Sequence, residues 1–103
     1  MTPGSGAGVI VHVIGRDEWA AVEAELRPAS LGVEGFVHCA DPDQVAGVIE
    51  RYYADRDDLL LLHIDPSRVT APIIREDTTG RGEVFPHVHG PIPRTAIIAV
   101  TPA

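Results

Sequence analysis

Histidines stand at three places in this chain where an imidazole ring could meet a ligand. His12 interrupts an apolar run, and His38 ends a second one. His87 and His89 lie two residues apart in a third segment that is rich in proline and glycine. Because imidazole gains and loses a proton near neutral pH, each segment is a candidate for ligand binding or for acid–base chemistry. For His12, a core histidine bonded to backbone is the alternative.

The second histidine segment, Gly35–Cys39, is predicted to be a strand that leads into a helix. Strand alternation places Phe36 and His38 on one face and the intervening residues on the other. A strand end before a helix N-terminus is a natural ligand position, because free backbone N–H groups converge there. Cys39 could act as a nucleophile, but a lone cysteine in this context is typical of a small buried hydrophobic residue.

The pair His87 and His89 can fall on one side of an extended segment, which also raises metal binding. The nearest metal-binding pattern requires a carboxylate after the histidine pair, and no acid follows Glu83 in this chain. We therefore predict no metal site. A metal-dependent enzyme built on His38 and these two histidines is the less favoured alternative.

Two late acids are the best candidates for a catalytic carboxylate. Glu76 is our choice and Glu83 the reserve, since each lies near an arginine and a turn. The arginines that could hold an anionic ligand are concentrated late in the chain: residues 66–103 contain four arginines and three acids, against four and twelve in residues 1–65. No convincing Ser-His-Asp arrangement or nucleophile-elbow sequence is present.

Length, charge and residue counts exclude several classes of function. The 103 residues suffice for one core, and the net charge of −7 argues against a general nucleic-acid or anionic-membrane binder. The chain has no lysine, which excludes Schiff-base chemistry and P-loop phosphate binding. Residues 1–8 read as a flexible leader and residues 9–103 as a single domain. One cysteine and no apolar run of membrane-spanning length predict a cytoplasmic protein.

The elements that must position these side chains are predicted from hydrophobic periodicity. The predicted helices cover Arg16–Leu26 and Pro42–Tyr53, with a turn at Gly32–Glu34. The predicted strands are Val9–Ile14, Gly35–Cys39, Leu59–Ile64, Ile73–Glu76 and Thr95–Val100, and Phe85–Pro93 is predicted to be an ordered loop or irregular edge. This order favours an α+β domain with two helices packed on mixed or antiparallel strands.

Taken together, these segments resemble domain-of-unknown-function family 952. The resemblance runs over nearly the whole domain and is most specific at Gly-Phe-Val-His-Cys (35–39) and Phe-Pro-His-Val-His-Gly-Pro-Ile (85–92). Two positions depart from the family pattern: Ala40 stands where serine is usual, and His89 where tyrosine is usual.

The resemblance implies a fold similar to the ADP-ribosyltransferases, with NAD as the substrate. His12 would then hydrogen-bond the nicotinamide-side ribose, and His38 would belong to the strand that often ends in His-x-Ser. The resemblance implies a late catalytic glutamate or cationic group, and we expect Glu76 or His87 to assist the chemistry. We expect ligand binding by His12, His38, Arg75 and His89. The charge that holds the pyrophosphate could come from Arg16, Arg75 or Arg94. The implied function is an enzyme that binds or processes NAD or a related nucleotide, and a non-catalytic small-ligand-binding module is the alternative.

Overall fold

The computed structural model describes residues 8–103. Its strands are β1 Ile10–Gly15, β2 Glu25–Leu26, β3 Val37–His38, β4 Leu59–Ile64, β5 Ile73–Glu76, β6 Phe85–Val88, β7 Ile92–Pro93 and β8 Ile97–Pro102. Its α-helices are α1 Arg16–Ala20, α2 Ala29–Glu34 and α3 Val45–Tyr52. Single 3₁₀ turns cover Pro42–Gln44, Pro66–Arg68 and Arg94–Ala96.

These strands form three small antiparallel sheets. The first has the order β1-β4-β8, the second pairs β2 with β7, and the third has the order β3-β6-β5. The apolar run Leu59–Ile64 becomes the central strand of the first sheet, as its composition predicts for a strand covered on both faces. The α+β class is therefore confirmed.

The first and third sheets are joined where β1 meets the residue after β3. The backbone N–H of Val11 donates to the carbonyl of Ala40 and the N–H of Ala40 donates to the carbonyl of Val11, both at 2.8 Å. Because this bridge ties β1 to the end of β3, it brings His12 and His38 close together. The main core lies between the sheets and includes Leu62 and Val88, both fully buried.

Helix α3 follows the predicted capping signal and covers the face of the first sheet around Val11. The side-chain oxygen of Gln44 accepts from the backbone N–H of Asp41 at 2.9 Å, and Pro42 occupies the first turn. Val48 and Ile49 pack against the small cluster that contains Val11. The predicted helix Pro42–Tyr53 is thus present, with a 3₁₀ first turn.

Several predicted elements are wrong. The first helix ends at Ala20 rather than Leu26, because Leu26 pairs with Ile92 in a strand and is buried there. The predicted turn Gly32–Glu34 is the end of α2, so the described residues contain three α-helices rather than two. This helix stops at Gly35, whose φ of 87° lies in the left-handed region that glycine adopts without strain.

The predicted loop Phe85–Pro93 contains the central strand of the third sheet. Pro86 lacks an N–H, yet its carbonyl still accepts from the N–H of Cys39 at 3.2 Å. Proline is therefore tolerated here, although the sequence pattern argues against a strand. The last strand begins at Ile97, after a 3₁₀ turn, rather than at Thr95. The predicted leader lies outside the described residues except for Gly8.

Within the described part of the chain, no helix is long and apolar enough to cross a membrane.

Candidate functional site

One face of the third sheet is lined by aromatic and imidazole rings. His38 on β3 lies directly opposite His87 on β6, and their ring centroids are 5.3 Å apart. Phe36, two residues before His38, stacks on the His87 ring at 4.2 Å with an interplanar angle of 19°. Strand alternation predicts this shared face for Phe36 and His38, while Val37 and Cys39 turn into the core.

Glu76 fixes the orientation of the two histidines of the Phe85–Gly90 segment. One carboxylate oxygen accepts from Nδ1 of His87 at 2.9 Å and from Nε2 of His89 at 3.1 Å. These hydrogen bonds, that from His87 first, lower the pKa of Glu76 below its usual range. The carboxylate is therefore ionised at neutral pH and holds the His87 ring with its other nitrogen, Nε2, away from Glu76.

His12 approaches the same place from the first sheet. Its Nδ1–H donates to the backbone carbonyl of His38 at 2.7 Å, which fixes the tautomer and leaves Nε2 as an acceptor. Burial lowers the pKa of His12, so the ring is neutral at pH 7. The hydrogen bond to backbone expected of a core histidine is present, and the ring also borders a cavity.

The cavity has a volume of about 510 Å³, within the range typical of small-molecule sites. Three histidines from three strands, His12, His38 and His87, contribute to its wall. The other lining residues are Val11, Val13, Glu34, Cys39, Ala40, Val48, Tyr52, Tyr53, Thr78, Thr79 and Phe85. The wall thus combines apolar and aromatic surface with a few convergent polar groups, which is typical of a ligand-binding site.

The sequence profile of the family described as "Protein of unknown function (DUF952)" matches residues 13–100. The chain belongs to this family. The family predicted from the Gly35–Cys39 and Phe85–Ile92 motifs is thereby confirmed.

Solved structures of protein CC0527 from Caulobacter crescentus are similar to this domain. Its crystal structure gives a TM-score of 0.80 at 21% identity and covers 91% of this chain and 84% of that one. Its solution NMR structure gives 0.69 at 18% identity, with 92% and 84% covered. At these identities the likeness shows the fold alone. A search of curated proteins finds no match.

Of the histidines and the glutamate predicted to form the site, three lie in the cavity wall and two do not border it. His12, His38 and His87 are in the wall. Glu76 and His89 are not among the lining residues, although both are linked to His87 through the Glu76 carboxylate. Glu76 is therefore connected to the cavity wall through its hydrogen bond with His87.

The predicted phosphate-binding arginines are not in the wall. Arg75 makes a two-pronged ion pair with Asp41, at 2.7 and 2.9 Å. Arg94 lies 4.3 Å above the ring of Trp19 and donates to a backbone carbonyl. Arg16 is likewise absent from the lining residues.

The reserve acid and the remaining histidine lie elsewhere. Glu83 pairs with Arg51 at 3.0 Å and accepts from Gln44 at 3.4 Å. His63 lies 2.8 Å from the hydroxyl of Thr101, on the first sheet. Neither residue borders the cavity.

Metal ligation finds no geometric support in the part of the chain that is described, since residues 8–103 contain no group of three histidine, cysteine or acidic side chains arranged to hold an ion. His87 and His89 each direct one ring nitrogen at the same carboxylate oxygen.

Sequence reasoning missed several residues of the wall. Tyr52, near the end of α3, is one of them. Glu34 pairs with His38 at 2.8 Å, and the two side chains are 46% and 51% exposed. Thr78 and Thr79 belong to the turn after β5. The (i, i+4) spacing of Glu34 and His38 was the available signal for that pair, but α2 was not predicted.

Proposed function

We propose that this DUF952 domain binds NAD or a related nucleotide in the histidine-lined cavity and processes it there. The observation that carries the proposal is the convergence of His12, His38 and His87 on one cavity of about 510 Å³. An ADP-ribosyltransferase-like fold and the NAD substrate come from the resemblance, and both form part of the proposal.

The pairing of Glu76 with His87 supports an acid–base role for His87. A carboxylate that holds Nδ1–H leaves Nε2 free to take a proton, as in other carboxylate–histidine pairs. The His87 side chain is 2% exposed, and Phe36 covers one ring face. A buried ring fixed on two sides loses little freedom when it meets a reacting group. His87 therefore carries the proton transfer, and Glu76 is the positioning residue.

In the proposed hydrolysis, water adds to the anomeric carbon as the bond from that carbon to the nicotinamide nitrogen breaks. The electron pair of the broken bond goes to the ring nitrogen, so nicotinamide leaves as a neutral molecule. The proton of the water passes to Nε2 of His87 and then to solvent. The neutral Nε2 of His12 accepts from a ligand hydroxyl and holds the sugar in place.

Ligand-observed NMR of the protein with NAD, followed over hours, tests this function. His12→Ala and His87→Ala should abolish nicotinamide release. His63→Ala is the matched control, because His63 lies on the same sheet as His12 and bonds Thr101 outside the cavity. Release that survives both cavity substitutions, or NAD that makes no contact with the protein, would overturn the proposal.

A second candidate, a non-catalytic binding module with the same cavity, is favoured by Ala40. This residue lines the cavity and brings no hydroxyl to it, where the family pattern usually has serine. Binding of NAD without release of nicotinamide, lost in His12→Ala, would establish this candidate in place of the first.

A further inference from the structure

When the histidines are neutral, the cavity wall carries a net negative charge. Glu34 contributes a carboxylate, and no arginine is among the described residues that line the cavity. Since the chain contains no lysine, the wall holds no permanent cation. A phosphate group inside the cavity would have no charged partner to replace its hydration.

Arginines near the flanking elements are already paired. Arg75 on β5 is held by Asp41, Arg51 on α3 by Glu83, and Arg56 by Asp58. A phosphate that recruited one of these guanidinium groups would have to break an existing ion pair. This geometry differs from the arrangement that the resemblance implies for the pyrophosphate.

Helix α3 borders the cavity with its C-terminal part. Val48 and Tyr52 of α3 and its C-cap residue Tyr53 line the wall. The carbonyl end of a helix carries partial negative charge, so it favours a cation and disfavours an anion. The N-terminal end is not in the wall, and the N–H groups of Asp41 and Gln44 are bonded within their own turn.

Two imidazoles of the wall can accept hydrogen bonds from donors on the ligand. His12 is neutral and offers Nε2 as an acceptor, because its Nδ1–H is committed to the His38 carbonyl. His87 offers Nε2 in the same way when its Nδ1–H is held by Glu76. Tyr52, Tyr53 and Phe85 supply aromatic surface against which a flat ring can pack.

We propose that the cavity takes an uncharged or cationic ring with its sugar hydroxyls, that is, the nucleoside end of the ligand, and leaves phosphate groups in solvent. This inference rests on the proposed function and narrows its substrate class. The phosphate-free nucleoside is then sufficient for recognition, and a pyrophosphate adds little affinity.

Calorimetric titration with nicotinamide riboside, nicotinamide mononucleotide and NAD tests this inference. We expect the riboside to bind within about tenfold of NAD, and inorganic pyrophosphate not to compete with it. If NAD binds more than about tenfold tighter than the riboside, the phosphates are recognised and this inference fails while the proposed function stands. If none of the three compounds binds, the proposed function fails and the inference with it.

Glu34→Gln provides the matched variant. Glu34 lies at the rim of the cavity, partly exposed on a short helix, so the substitution leaves the core intact. Loss of its negative charge should weaken the binding of the cationic riboside several-fold. The binding of a neutral nucleoside, such as inosine, should not change. An equal effect on both compounds, or tighter riboside binding, would contradict the premise that the negative charge of the wall decides which end of the ligand enters the cavity.

Discussion

Nδ1 of His87 lies 2.9 Å from a carboxylate oxygen of Glu76, and both residues face the same side of the third sheet. The register explains this contact. Ile74 pairs directly with His87, and Glu76 stands two residues further along β5, so it is the diagonal neighbour of His87 on that face. The carboxylate and the imidazole are thus set by strand pairing, which is more rigid than a loop contact.

Glu76→Gln should lower kcat for nicotinamide release by about 10²–10⁴-fold, because the amide has no charge to stabilise a protonated His87. KM should stay within about threefold, since Glu76 does not line the cavity. The measurement is steady-state kinetics, with kcat and KM determined separately for each variant.

Glu83→Gln is the control for that substitution. Glu83 is the other late acid near the third sheet, but it pairs with Arg51 and Gln44. Its replacement should leave kcat and KM unchanged. A loss of kcat in Glu83→Gln comparable to that in Glu76→Gln would show that the reserve acid, and not Glu76, serves the reaction.

Local sequence pattern predicts an element correctly when the tertiary contacts of that element favour the same secondary structure. The apolar run Leu59–Ile64 and the capped helix that ends at Tyr52 both follow their patterns. The helix predicted over Arg16–Leu26 fails, because burial of Leu26 is achieved by pairing with Ile92, 66 positions later. Such a pairing is a long-range contact that helical spacing cannot reveal.

The sequence predicts which residue types form the site, but it does not predict which charged side chains pair with one another. Residue type indicates all three histidines of the wall, and predicted strand position indicates two of them, His12 and His38; His87 lies in a segment predicted to be a loop or irregular edge. The arginines are expected to hold the pyrophosphate because of their charge and the NAD substrate that the resemblance implies. The ion pair of Arg75 with Asp41 depends on a contact between residues 34 positions apart. A sequence shows which side chains carry charge, but the pairing that neutralises the charge is decided by the fold.

The stability of the folded domain should fall as pH drops below about 4. Native hydrogen bonds and ion pairs lower the pKa of several carboxyls below their usual range: Asp58, Asp65, Glu76 and Asp77. Because the folded pKa is the lower one, the stabilisation is present above the unfolded pKa and is lost as pH falls through the folded pKa. Thermal melting over a pH series measures this loss.

Asp77 is the clearest single contributor to test in that series. One of its carboxylate oxygens accepts from Thr79 and Gly80, and the other accepts from the N–H of Gly82 at 2.7 Å. Asp77→Asn should lower Tm above about pH 5 and make the acid limb shallower. The control is Glu50→Gln, on the exposed side of α3, and an Asp77→Asn melting curve that parallels wild type at every pH would contradict the assignment.

Cys39 should be inert in the native protein. Its side chain is 4% exposed in the main core, and burial raises the pKa of the thiol to about 12. An ordinary thiol has a pKa of about 8.5, so near neutral pH the native thiolate fraction is lower by roughly three orders of magnitude. Alkylation by iodoacetamide should be slow in the folded protein and fast in urea, and Cys39→Ala should retain turnover. Rapid native alkylation, or loss of turnover in Cys39→Ala, would restore Cys39 as a candidate nucleophile.

Ala40→Ser should strengthen ligand binding. Ala40 is 3% exposed and lines the cavity, and its backbone is fixed by two hydrogen bonds to Val11, so an added hydroxyl has a defined position. One hydrogen bond is worth about 0.5–1.5 kcal/mol, which is about a 2- to 10-fold gain in affinity for the riboside in a calorimetric titration. Ala46→Ser, on the exposed face of α3, should leave the affinity unchanged.

The outcomes for Ala40→Ser separate the two proposed functions. If Ala40→Ser gains affinity and also raises kcat, the missing hydroxyl limits catalysis in this chain, whereas a gain in affinity without turnover favours the binding module. Unchanged or weaker binding would mean that the hydroxyl turns toward Val45 and Phe85, which pack beside Ala40.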